Sequence, residues 1–247
     1  MKASYFYILG AIALVESSCG GKNVSLSLKL AKEQRIDVKY RTSTNDDGVE
    51  KGEFIRMSLR VDSVMPDSSY LVSGKIDFVR VKNQKVTNSD EYSSDKPQAE
   101  MTPEEIKFDE QIRPTIDSTY KFTIDKYGKL LKPLTFTSGH TIPANFQMID
   151  VGFFQINFPA DKIAIGDKWT TEEALPGSGG KRVSKYKLES IYDETIQIKV
   201  DGSIEGEHAD PQNFSGRYYL EKSARTIDSC RIQMDGKGKQ KITIDSK

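Results

Sequence analysis

The chain has 247 residues, and its 36 Lys and Arg are matched by 36 Asp and Glu. A neutral balance excludes the basic surface that nucleic-acid binding needs and the acidic, self-repelling chain that stays unfolded. With 36% hydrophobic residues, the chain can bury one large core or two small ones.

The N-terminal segment comes first in chain order and reads as an address. Lys2 gives a short positive region, Tyr5 to Val15 is an apolar run, and Ser17 and Ser18 lead into Cys19-Gly20-Gly21. At ~1.5 Å per residue the run spans about 16 Å, half of a ~30 Å hydrocarbon core, so it is too short for a permanent span. The order of parts is that of a secretory signal. A lone Cys after small residues predicts acylation at Cys19 and removal of residues 1–18. Several acyl chains at ~0.8 kcal/mol per buried CH₂ anchor a protein stably. Glu16 departs from this pattern, since an aliphatic residue is usual three positions before the Cys. Ordinary cleavage after Ala13 or Ser18 is the alternative. The expected location is lipid-anchored at the outer membrane and facing the periplasm, with the membrane itself as a partner. Gly20 after the Cys lacks the Asp that favours inner-membrane retention.

From Leu26 onward the dominant signal is alternation. Leu26, Leu28 and Leu30 are spaced by two, as are Ile36, Val38 and Tyr40, then Ile55, Met57, Leu59 and Val61. Tyr120, Phe122 and Ile124 repeat the pattern, and so do Ile196, Ile198 and Val200. Period two marks strands with one wet face, which belong to antiparallel sheets. Turns are expected at Asn45 to Gly48, Pro66-Asp67, Asp125 to Gly128, Pro176 to Gly180, Asp201-Gly202 and Asp235-Gly236. Lys85 to Gln98 reads as a polar loop. Thr102-Pro103-Glu104-Glu105 carries helix-start signals, although the alternation of Ile106 and Phe108 argues for a strand. A short helix is the reading adopted.

The order of strands recurs. Phe54 to Val64 matches Val183 to Ile191, Tyr70 to Ile76 matches Thr195 to Val200, and Tyr120 to Leu130 matches Gly216 to Ile227. The expected fold is all-β and mainly antiparallel, with at most one or two short helices. It is a large curved sheet, or two similar half-sheets from an internal duplication. The first β unit covers residues 19–135 and a connecting segment covers 136–157. The second unit covers 158–247 and packs with the first as one domain.

This layout resembles an uncharacterised lipoprotein family of Bacteroidetes, the domain of unknown function 6263. The likeness is carried by the Ser18-Cys19-Gly20 junction, the Ile124 to Leu130 strand and turn, the Pro159 to Trp169 element with Gly166-Asp167-Lys168, and the Tyr186 to Ile191 strand. The resemblance implies an envelope location and a β fold, and no activity.

Catalytic and metal chemistry find little purchase. The two histidines, His140 and His208, both sit in polar turns, far from the pattern of a nucleophile with its base. Glu205, Glu207, His208 and Asp210 fit no closed zinc spacing. Thr44 to Gly48 lacks the terminal bidentate Glu of a calcium loop. Gly177 to Gly180 lacks the Lys and the following helix of a phosphate loop. No metal, cofactor or catalytic residue is therefore expected. Cys230, on a face with Asp228, Ile232 and Met234, reads as a small core residue. If Cys19 carries lipid, no intrachain disulfide is available.

The expected function is a non-enzymatic envelope lipoprotein with a binding or structural role, its partner an apolar small molecule or an envelope protein. A first alternative is a periplasmic carrier of a lipid or other apolar ligand held in a concave sheet. Its candidate lining is Phe146, Met148, Phe153, Phe154 and Trp169. A second alternative is a hydrolase with an unrecognised site.

Overall fold

A computed structural model describes residues 23–46, 49–82, 91–137, 156–175, 180–206, 209–235 and 240–246. The strands, in chain order, are β1 (Arg35–Asp46), β2 (Val49–Val64), β3 (Tyr70–Lys82) and β4 (Glu91–Ser93). A 3-10 turn (Gln98–Glu100) and helix α1 (Pro103–Ile116) follow. Then come β5 (Thr119–Ile124), β6 (Leu130–Phe136), β7 (Lys168–Ala174), β8 (Lys181–Ile191), β9 (Thr195–Gly206), β10 (Ala209–Glu221), β11 (Ile227–Met234) and β12 (Gln240–Ser246).

The described strands form one open, curved antiparallel sheet in the order β6-β5-β3-β2-β1-β12-β11-β10-β9-β8-β7, with β4 added beside β3. The all-β antiparallel expectation therefore holds. The early strands fill one side and the late strands the other. The join is made by β1 and β12, paired from Val38 with Ser246 to Thr44 with Gln240.

Alternation explains how a single sheet can hold a core. Along one cross-strand row lie Val79, Ile55, Tyr40, Ile244, Cys230, Tyr218, Ile198 and Leu188, each paired with the next. All of these residues are buried. Apolar side chains thus line one inner face from β3 to β8, and the sheet curls around that face. The opposite face is polar and paired: Arg41 with Asp245 at 3.0 Å, Arg217 with Glu189 at 2.9 Å, and Lys199 with Asp201 at 2.8 Å. Arg41, Arg56 and Arg80 also lie over the rings of Phe54 and Phe78 on this outer side.

Helix α1 covers part of the inner face. Its start follows the sequence signals: Glu105 donates its backbone N–H to Thr102 Oγ1 at 3.2 Å, and Thr102 N–H donates to Glu105 Oε2 at 2.6 Å. Phe108, Ile112 and Ile116 are buried at helical spacing, and Phe108 meets the ring of Tyr92 edge-on at 4.9 Å. That i, i+4 stripe outweighs the short Ile106 and Phe108 alternation.

Four readings are corrected. Leu26 to Leu30 do not form a strand. They run as an extended strap across the ends of other elements, tied by one bridge between Val24 and Ile163. Asp201-Gly202 is not a turn, because β9 passes straight through it. The polar segment from Lys85 contains β4, whose Tyr92 is fully buried and donates to Asp109 Oδ1 at 2.5 Å. Asp228 does not share the face of Cys230. A bulge lets Leu220 pair with Ile227 while Tyr219 pairs with Ser229, which leaves Asp228 pointing outward.

Candidate functional site

The inner face is not completely filled. A cavity of about 100 Å³ lies against β1, β2 and β5, lined by Ile36, Val38, Met57, Leu59, Tyr120 and Phe122 among others. Three connecting segments border it. The strap contributes Leu28 and Leu30, residues 156–158 contribute Ile156 and Phe158, and the β10–β11 turn contributes Arg225 and Thr226, with Ile227 beside them at the start of β11.

Hydrogen bonds hold these segments to one another. Leu28 N–H donates to Lys126 O at 2.7 Å, in the β5–β6 turn, and Lys29 N–H donates to Ala224 O at 2.9 Å, in the β10–β11 turn. The Tyr70 hydroxyl donates to Leu28 O at 2.8 Å. The strap therefore bridges a turn from the early strands and a turn from the late strands. Phe158 N–H donates to Tyr127 O at 2.7 Å. Beside it, Gly128 adopts φ +85, and a Cβ there would meet Ile156 O at 2.4 Å. Only glycine allows that contact.

The lining is apolar with one charged exception. Arg225 is only 8% exposed, and its Nε and Nη1 have no hydrogen-bond partner among the described residues. Burial pulls its guanidinium below its ordinary basicity, and the charge of Glu221 offsets part of that effect. The oxygens of Glu221 are already engaged: they accept from Ser223 N–H at 3.0 Å, Ser223 Oγ at 2.5 Å and Ala224 N–H at 2.6 Å. Those bonds, the Ser223 hydroxyl foremost, hold the Glu221 carboxyl below its usual range. Arg225 itself sits at φ +61, a left-handed conformation that costs a non-glycine residue about 1–2 kcal/mol. The turn is thus over-determined, and it presents a charged side chain to an apolar space. Nothing in the sequence marks this one residue out from the other 35 of the 36 cations.

Tyr120 lines the same space, but its hydroxyl faces Met57 Sδ at 3.5 Å, and burial raises its pKa. It contributes ring surface rather than a proton-transfer group.

The residues singled out from sequence fall elsewhere. Trp169 is half-buried, stacks on Tyr186 at 5.1 Å and donates its indole N–H to Asn157 O at 2.8 Å. It is not among the described lining of the cavity. Phe146, Met148, Phe153, Phe154, Cys19, His140 and His208 lie outside the described residues. Cys230 is fully buried, and burial pushes its thiol up to about 12. Among the described residues no group of His, Cys, Asp and Glu is placed to hold a metal ion, and no helix is long and apolar enough to cross a membrane.

Comparison with known proteins adds little to this geometry. No curated protein matches the chain. Among solved structures, a DUF1329 family protein from Desulfovibrio piger is 10% identical over 87% of this chain and 84% of that chain, with a TM-score of 0.23. A family of unknown function, DUF6263, matches residues 151–247, the stretch that carries β7 to β12.

Proposed function

We propose that this chain is a non-enzymatic envelope lipoprotein of the Bacteroidetes kind that holds an apolar small molecule inside its curled sheet. The observation that carries the reading is the apolar cavity under the strap. Well-packed interiors leave few voids larger than a water molecule. A space of about 100 Å³ lined by Leu28, Leu30, Phe122 and Phe158 is larger than packing alone leaves. Apolar spaces with few polar groups are where small hydrophobic ligands lodge. The signal-like N-terminus and Cys19 support an anchored, periplasm-facing location. The neutral charge supports a partner that is not nucleic acid. Native mass spectrometry of protein drawn from its own envelope tests the reading. A co-purified apolar molecule is expected, and a bare mass that takes up no added alcohol or alkane overturns it.

A further inference from the structure

We infer that the cavity is selective for a small monoanion, a short-chain carboxylate, whose head pairs with Arg225 and whose chain lies against Leu28, Leu30, Phe122 and Phe158. This deepens the apolar-ligand reading above and rests on it.

Arg225 is the one charged residue in the described lining. It is more than nine-tenths buried, and two of its nitrogens lack partners. Buried charges are ordinarily paired, because an unpaired ion in apolar surroundings is costly. The acid whose charge acts on it, Glu221, is engaged by Ser223 and Ala224. A ligand anion would supply the missing partner, and the planar guanidinium fork suits a carboxylate. Charge number decides between heads. One guanidinium neutralises a carboxylate, whereas a phosphate monoester at about −1.5 to −2 would leave a buried negative excess.

Size sets the tail. A cavity of about 100 Å³ is smaller than the ~150 Å³ apolar cavity that takes up the six carbons of benzene, so it suits a tail of about four carbons. The turn bonds and the strap bond from Lys29 to Ala224 fix the backbone at Arg225 before any ligand arrives. Little ordering cost is then left for binding.

Calorimetric titration of the full chain with butanoate and with 1-butanol tests the assignment. The expected result is roughly tenfold or greater preference for butanoate, the size expected of a charge-assisted hydrogen bond. Arg225→Met should bind both ligands alike, and Arg225→Lys should show an intermediate preference. The second variant keeps the charge if the first fails to fold. Equal affinity of the unaltered chain for the two ligands, or a butanoate preference that survives in Arg225→Met, overturns the role of Arg225 and leaves the apolar-ligand reading standing. Binding of neither ligand overturns both.

Discussion

The ring of Phe214 on β10 occupies the space that a Cβ on Gly202 of β9 would need, with ring atoms 2.4 and 2.9 Å from that position. The two residues are cross-strand partners. The same device recurs on the other side of the sheet, where the ring of Tyr120 on β5 lies over its partner Gly74 on β3, 2.4 Å from the position of a Cβ. In each case a missing side chain lets an aromatic ring lie flat across the inner face.

The two glycines should not tolerate substitution equally. At Gly202 a Cβ also meets the Val183 backbone oxygen at 2.2 Å, whereas at Gly74 its three nearest atoms all belong to the Tyr120 side chain. A ring can tilt, but a paired backbone cannot move alone. Gly202→Ala should destabilise by about 1–3 kcal/mol, with Gly74→Ala at the lower end. Urea midpoints of the two variants, at unchanged m-value, check the order.

Removing the buried Arg225 charge should strengthen the fold. Arg225→Met deletes an unpaired charge while leaving the turn bonds of Glu221 in place. A rise in the melting temperature is expected, corresponding to about 1 kcal/mol or more after the lost attraction to Glu221. A melting temperature that falls would mean the guanidinium stabilises the turn.

The strap should open by local fraying rather than by global unfolding. Tyr70→Phe removes the donor to Leu28 O, a bond worth about 1 kcal/mol net. Amide exchange at Leu28 and Lys29 should speed up several-fold in this variant while β1 and β12 stay protected. Native-state hydrogen exchange reads both regions at once.

Glu105 should add an acid-sensitive increment to stability. Lys96 chiefly, with the Thr102 backbone N–H, holds its carboxyl below the usual 4.5. A carboxyl depressed in the folded state stabilises above its unfolded value, and that contribution is lost as pH falls through the lower, folded value. Glu105→Gln should therefore lose about 1 kcal/mol at neutral pH and show a flatter stability profile below pH 4.5. Thermal melts at several pH values separate the two slopes.

Cys230 should ignore thiol reagents in the folded protein. Its thiol is fully buried and pushed up to about 12, so almost no thiolate is available at pH 8. Labelling should proceed only at the rate of opening, and urea should accelerate it steeply.

Much of the sheet was readable because alternation is a local signal. Ile55, Met57, Tyr120, Phe122, Ile196 and Ile198 announce a wet face and a dry face within a few residues, and the structure buries the expected one. The errors share a cause: the deciding partner lies far along the chain. Gly202 looks like a turn until Phe214 is placed beside it. Leu28 and Leu30 alternate as a strand would, yet the backbone N–H groups of Leu28 and Lys29 donate to the turns at Lys126 and Ala224. Tyr92 sits in a polar stretch, and its burial depends on Phe108 of the helix. The cavity has the same origin. Its walls come from the strap, β1, β2, β3, β5, β11, β12, the segment at 156–158 and the β10–β11 turn, and no local window contains them. Arg225 was invisible for that reason. Its meaning comes from its surroundings, not from its type.

The pairing of β1 with β12 also has a consequence for biogenesis. The latest described strand in chain order, β12, is the one that must slot into the middle of the sheet. Until Gln240 to Ser246 emerge, β1 and β11 each expose a full row of unsatisfied amide and carbonyl groups. The nascent polypeptide therefore remains adhesive until β12 is in place. A truncation that removes Gln240 to Ser246 would take out this keystone and leave a product that clings to its neighbours or to a holdase.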